Sequence, residues 1–171
     1  FRLNANGAVD PTFSAQAGHD DVRMIAVQAD GRIVLAGDFE EVNGVPRIGL
    51  GRLHPDGTLD SSFDPGAVLG TDYRERHVNT ILALPDCRLW ISSGRNYSSP
   101  SPRLFRLNAT GGLDPTFAPL VERAGDAFRF ATLADGRVLV CGSFQKVNNA
   151  PRAGIARLHA DGTFDASFNA G

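Results

Sequence analysis

One thirteen-residue pattern occurs four times in this chain, and the spacing of its copies constrains the fold more than any other feature. Phe1 to Phe13 reads FRLNANGAVDPTF; it returns as GRLHPDGTLDSSF ending at Phe63, FRLNATGGLDPTF ending at Phe117 and ARLHADGTFDASF ending at Phe168. The closing phenylalanines are 50, 54 and 51 residues apart. A fixed period of this length means one supersecondary unit per repeat, each burying its apolar faces against its neighbours.

Between these copies lies a second shared segment. Val22 to Phe39, VRMIAVQADGRIVLAGDF, is matched by FRFATLADGRVLVCGSF from Phe128 to Phe144 and more weakly by VNTILALPDCRLWISSG from Val78. A full unit therefore runs apolar segment, turn, apolar segment, loop, R-L-[NH] segment, turn and short D-x-[ST]-F segment, which predicts a four-stranded antiparallel meander. Asp30-Gly31 and Asp135-Gly136 join the first two strands; Asn6-Gly7, Asp56-Gly57 and Asp161-Gly162 join the last two. Such pairs supply the positive φ angles of tight hairpins, where glycine avoids the steric cost of a side chain. The second strands, Ile33 to Phe39 and Val138 to Phe144, are nearly continuous apolar runs, as expected of strands buried on both faces.

The expected fold class is all-β: β-propeller blades in a single array of about three and a half repeats. These are a half repeat at 1–13, repeat 1 at 22–63, a divergent repeat 2 at 78–117 and repeat 3 at 128–168. A closed ring needs at least about four blades, so the array is expected to be a partial propeller, completed by further repeats of the same chain or by a self-associated copy. The alternative is a β-trefoil, for which the N-terminal half copy is surplus.

Composition narrows the function classes. With 42% hydrophobic residues in 171, the chain can bury a core, and a net charge of −2 offers no basic field for nucleic acid. No apolar stretch approaches the roughly 18 residues of a membrane span. Lys146 is the only lysine among 17 cationic residues; arginine, with its planar donors, suits fixed structural roles. Cys87 and Cys141 fall in different local environments, so no disulfide is expected. Cys141 aligns with Ala36 in a strand read as buried, where a thiol acts as a small hydrophobe, and Cys87 sits on a turn.

The repeated polar residues read as architecture. Asp10, Asp60, Asp114 and Asp165 each precede Ser or Thr by two residues, where a carboxylate accepts backbone N–H bonds and sets a turn that every unit needs. Arg2, Arg52, Arg106 and Arg157 each precede the leucine of the third strand, and their guanidinium groups are expected to fork onto a carboxylate of the same or an adjacent blade, the repeated Asp being one candidate. His54 and His159 replace Asn4 and Asn108 in the pattern, and His19 and His77 lie in connectors without a second ligand at zinc spacing. No nucleophile elbow, P-loop, dinucleotide fingerprint or calcium loop occurs. Catalytic residues, metal sites and cofactors are therefore not expected, and the chain is read as no enzyme.

Function in a repeat array is sought where units differ. The connector DPGAVLGTDYRERH carries Tyr73, Arg74 and Arg76, and the loop from Arg95 to Arg103 carries Asn96 and Tyr97; these five form the candidate binding surface. Trp90 aligns with Val34 and Leu139 and is read as core.

The pattern R-L-N-x-[DN]-G-x-x-D-x-[ST]-F, followed by V-x-x-I-A-V-Q-x-D-G-[KR]-I-[LV]-x-x-G-x-F and V-N-G-x-x-R, resembles the delta-60 repeat, a β-propeller repeat of large bacterial proteins. The first full unit carries the resemblance at Val22, Gln28, Asp30, Gly31, Gly37, Phe39, Val42, Asn43, Gly44, Arg47, Arg52, Leu53, Asp60 and Phe63. The middle unit departs from it, with Cys87 in the turn-glycine place. The resemblance implies an extracellular or cell-surface location and no catalytic activity. The expected function is a structural scaffold or a module binding protein or glycan, within a larger bacterial protein. A lectin-like propeller is the alternative, and a catalytic propeller with its active site elsewhere is the weaker one.

Overall fold

The computed structural model of the protein describes residues 1–18, 21–69, 78–93, 103–117, 119, 121–122 and 128–169. In the first unit the strands are β1 (Ala17–Gly18), β2 (Val22–Val27), β3 (Ile33–Gly37), β4 (Glu41–Val42), β5 (Val45–Pro46) and β6 (Leu50–Leu53). A 3-10 turn at Gly66–Leu69 precedes the second unit, with β7 (Val78–Ala83), β8 (Leu89–Ser93) and β9 (Arg103–Leu107). The third unit holds β10 (Val121–Glu122), β11 (Arg129–Thr132), β12 (Val138–Cys141), β13 (Lys146–Val147), β14 (Ala150–Pro151) and β15 (Ile155–Leu158). The described residues contain no α-helix, and hence no helix long and apolar enough to cross a membrane.

Each unit is an antiparallel meander: β2-β3-β6, β7-β8-β9 and β11-β12-β15. The fourth run joins its sheet through one bridge only, Leu53 to Leu59, Leu107 to Leu113 and Leu158 to Phe164, with Leu3 to Val9 as the same feature in the N-terminal half-unit. Its brevity has a local cause. In the first unit the Asp60 carboxylate takes the backbone N–H of Ser62 at 3.0 Å, and Phe63 N–H bonds back to the Asp60 carbonyl at 3.2 Å, so the chain curls where a ladder would continue.

The segment between second and third strands, expected from sequence to be a loop, makes a small hairpin. It pairs with the incoming chain as the sheets β1-β4-β5 and β10-β13-β14. Asn43 (φ 52°) and Gly44 (φ 75°) both lie in the left-handed region, as do Asn148 (48°) and Asn149 (64°) in the third unit; these are the two-residue turns whose twist matches a hairpin. The Asp-Gly turns are different, since there only the glycine has positive φ, 81° at Gly31 and 80° at Gly136. Gln28 N–H bonds to the Arg32 carbonyl at 2.8 Å and Gly31 N–H to the Gln28 carbonyl at 2.9 Å, a three-residue loop closed by a left-handed residue. Cys87 takes that place in the middle unit at φ 62°, and the bonds around it are the same, Leu84 N–H to Arg88 carbonyl at 2.9 Å. The divergent hairpin keeps its geometry at a conformational cost of about 1–2 kcal/mol for a non-glycine residue.

The sheets stack face to face, which explains the continuous apolar second strands. On β3, Val34 and Ala36 pack with Leu89, Ile91 and Leu107 of the second unit, while Ile33 and Leu35 turn the other way, towards Phe13, Ala15 and Ala17. On β8 the alternate residue Trp90 enters the third unit's core, 4.6 Å from the Phe117 ring and 5.9 Å from Phe130. Val138 and Val140 bury against the second unit, but no sheet among the described residues covers the opposite face of β12: Leu139 is half-buried and Cys141 exposed. The expectation of a buried Cys141 fails for that reason. The strand alternates as its sequence predicts, and the covering sheet is what is missing.

Candidate functional site

The repeated arginines and aspartates meet within each unit. Arg52 Nε donates to Asp60 Oδ2 at 2.8 Å, Arg2 to Asp10 and Arg106 to Asp114 at 2.9 Å, and Arg157 to Asp165 at 2.7 Å. Each guanidinium also lies over the phenylalanine that closes its own unit, 4.6 Å from the ring centre at Phe63 and 4.8 Å at Phe168. The carboxylate's second oxygen serves the turn: Asp60 Oδ1 accepts from Ser62 N–H at 3.0 Å and Ser62 Oγ at 2.5 Å. A second arginine, directly after the first turn of each unit, completes the group. Arg32 Nε lies 3.2 Å from Asp60 Oδ2, Arg88 Nη1 3.6 Å from Asp114 and Arg137 Nη1 2.7 Å from Asp165. Sequence reasoning missed these three, although the repeated D-[GC]-R triplet carries their signal.

The same arginines tie unit to unit. Arg2 Nη1 donates to the Pro55 carbonyl at 2.5 Å, Arg52 Nη1 to Ala109 at 2.8 Å, and Arg106 Nη1 to Ala160. Pro55, Ala109 and Ala160 hold one position, two residues before the turn glycine of the following unit.

This environment settles the chemistry of the aspartates. The Thr12 hydroxyl, its backbone N–H and Arg2 hold Asp10 at about 2; the Thr116 hydroxyl and N–H with Arg106 do the same for Asp114, also about 2. Burial works against ionisation of Asp60, yet Ser62 and Arg52 outweigh it and its pKa lies below the ordinary range. Asp165 is held well below that range by the Ser167 hydroxyl, with Arg137 and Arg157 adding to it. All four are carboxylates at neutral pH. Asp60 and Asp165 each have two arginine and two Ser contacts, so their acceptor directions are filled. Proton transfer or metal ligation there would require dismantling the unit.

A second feature is absent from any sequence pattern. The first strands β2, β7 and β11 adjoin and line a groove of about 670 Å³ with Arg23, Met24, Ile25, Val78, Asn79, Thr80, Ile81 and Arg129. The pairing register shifts between Val22 and Met24 and between Val78 and Thr80, so Arg23 and Asn79 are the bulged residues. A bulge re-aims a side chain out of the sheet's alternation. Arg23 pairs with the Asp38 carboxylate; Arg129 Nη1 donates to Thr80 Oγ1 at 3.0 Å and to the Phe128 carbonyl at 3.2 Å. Guanidinium, amide and hydroxyl groups thus line the groove beside aliphatic side chains, and no nucleophile–base pair stands among the lining residues.

The candidate surface residues Tyr73, Arg74, Arg76, Asn96 and Tyr97 lie outside the described residues, as do His19 and His77. His54 Nε2 lies 3.9 Å from Asp60 Oδ1, at the rim of the arginine–aspartate group. Cys87 is half-buried, and its pKa is raised by burial and by the Asp30 carboxylate.

No curated protein and no solved structure shows a significant match to the chain. The family model described as "Domain of unknown function (DUF5122) beta-propeller" matches residues 1–13, 28–63, 92–117 and 133–168, which cover the pairs Arg2–Asp10, Arg52–Asp60, Arg106–Asp114 and Arg157–Asp165. A propeller family leaves no place for the trefoil alternative, and with well over half its residues matched the chain belongs to this β-propeller family.

Proposed function

We propose that the chain is a non-enzymatic scaffold and binding module of the delta-60 type, holding a ligand-binding groove across its first strands. The extracellular placement implied by that resemblance is part of the proposal. The observation that carries it is the division of labour among the charged groups. The repeated Arg–Asp pairs are turned inward, within and between units, whereas the guanidinium, amide and hydroxyl groups of Arg23, Arg129, Asn79 and Thr80 line one open groove, with no acid–base or nucleophilic pair among its lining residues. Such a groove suits a ligand rich in hydrogen-bond acceptors, for which arginine is the fitting residue.

The test is a titration of the labelled chain with an acidic oligosaccharide and with a neutral one of equal length. Saturable binding of the acidic ligand, weakened about tenfold by Arg129→Ala through loss of one charge-assisted contact, is the expected result. No binding of either ligand, or turnover of one of them, would refute the reading.

A further inference from the structure

The two arginines of the groove are held in different ways, and the register of the first strands shows why. Arg23 is bulged out of β2, as Asn79 is out of β7, whereas β11 pairs with β12 without a shift from Arg129 to Thr132. Arg129 stands opposite Cys141 just as Met24 stands opposite Ala36 and Thr80 opposite Ser92, so Met24, Thr80 and Arg129 form one row across three neighbouring units. Thr80, next in that row, decides how Arg129 is held. Arg129 Nη1 donates to Thr80 Oγ1 at 3.0 Å, to the Phe128 carbonyl at 3.2 Å and to the Asn79 carbonyl at 3.4 Å. Thr80 Oγ1 in turn donates to the Phe128 carbonyl at 2.6 Å.

The difference is also one of charge. Arg23 pairs with the Asp38 carboxylate just past β3, so the pair brings no net charge to the groove. All three acceptors of Arg129 are neutral, and all three meet a single nitrogen. Among the described residues no carboxylate pairs with Arg129, and its Nε and Nη2 meet no acceptor. Those two nitrogens are the ones on which a guanidinium holds two oxygens of one oxyanion side by side. Two arginines thus line the groove, and one positive charge is left over. Around it the Asn79 amide suits hydroxyl groups, and the aliphatic Met24, Val78 and Ile81 suit the C–H face of a sugar ring.

We infer that Arg129 is the residue by which this groove selects an acidic sugar: the oxyanion, a carboxylate or a sulfate ester, lies on its Nε and Nη2, and Thr80 is the positioning residue that fixes this edge by holding Nη1. Arg23, neutralised by Asp38, takes no part in the preference for acid. This assignment rests on the groove being a ligand site. It follows that one acid group is read per bound ligand, since one charge is left to meet it, and that the planar fork matters as well as the charge.

Labelled trisaccharides alike except for one group, a hydroxyl, a carboxylate or a sulfate ester, are titrated with the chain at one ionic strength and read by fluorescence anisotropy, alongside an acidic peptide of the same charge. The carboxylate or the sulfate form is expected to bind about tenfold more tightly than the hydroxyl form, and the tighter of the two names the source of the oxyanion. Arg129 is exposed, so Arg129→Gln keeps the fold and removes this preference; Arg129→Lys, which lacks the fork, retains only part of it. The double variant Arg23→Gln with Asp38→Asn removes the other pair at constant net charge, and the preference stays. Thr80→Val lowers the ratio of acidic to neutral affinity about threefold and Thr80→Ser restores it, a ratio that a loss of stability alone does not move. No binding of any sugar would sink the groove as a ligand site and this assignment with it. Equal binding of the acidic and neutral sugars leaves the groove standing but overturns the role of Arg129. So does a preference that survives Arg129→Gln, one that vanishes in the double variant, or capture of the acidic peptide alone.

Discussion

Replacing Arg52 with lysine keeps the charge and removes the fork, and the structure allows the consequence to be worked out. Arg52 is 2% exposed and holds Asp60 Oδ2 through Nε and the Ala109 carbonyl through Nη1, both at 2.8 Å, while stacking over Phe63. One ammonium cannot occupy both places. The loss is therefore one hydrogen bond from a charged donor, worth about 1.5–3 kcal/mol. For a domain of this size each kcal/mol lowers Tm by about 2–4 °C, so a fall of roughly 4–8 °C is expected for a loss near 2 kcal/mol. Arg52→Ala costs more, about 3–5 kcal/mol, because Asp60 is left as a buried charge held only by Arg32 and Ser62. Arg157→Lys is the internal control: the arginine keeps the same aspartate pair but meets no inter-unit carbonyl among the described residues, so the change costs less than at Arg52. Urea unfolding followed by the fluorescence of Trp90, the chain's single tryptophan and fully buried, reports all three. An Arg52→Lys variant within about 0.5 kcal/mol of the parent, as for an ordinary surface change, would refute the reasoning. So would equal losses at Arg52 and Arg157.

Three further outcomes are expected. Gly57→Ala and Gly7→Ala impose similar backbone strain at φ +93° and +82°, but only the first also drives a Cβ into backbone, at Ser14; Gly7→Ala should cost about 1–2 kcal/mol and Gly57→Ala clearly more, and equal losses in the urea assay would contradict the inter-unit contact. Asp10 and Asp114 titrate at about 2 in the fold against 3.8 ordinarily, so the folded chain binds fewer protons than the unfolded one between these values. Their contribution is complete above pH 4 and lost as pH falls towards 2; a Tm unchanged across that interval counts against it. In dilute solution a maleimide should reach the exposed Cys141 before the half-buried Cys87, whose pKa is raised, and peptide mass mapping showing the reverse order would contradict the open face on β12.

Much of the architecture could be read from the residues because it is local and repeated. Four copies of one pattern place Arg52 and Asp60 eight residues apart across a single turn, so their meeting follows from the hairpin alone. The left-handed turn glycines and the double-faced second strands are likewise properties of short segments. Other features depend on pairing between segments. The bulges that aim Arg23 and Asn79 into the groove arise from register against β3 and β8, and neither residue has a distinguishing neighbour in sequence. The second arginine on each carboxylate, at Arg32, Arg88 and Arg137, is brought in by the closing of the first hairpin onto the third strand.

Cys141 marks the boundary between the two kinds of knowledge. Its position in an alternating strand, and hence the face it points from, was set by the amino-acid sequence through the two-residue period of a β-strand. Whether that face is buried was decided only by tertiary structure, because burial depends on a neighbouring sheet and not on the strand itself: Ala36 has one and Cys141 has none among the described residues. The sequence by itself determined the repeat, the meander and the Arg–Asp pairs. The stacking of sheets decided which of those repeated surfaces are cores and which form the groove.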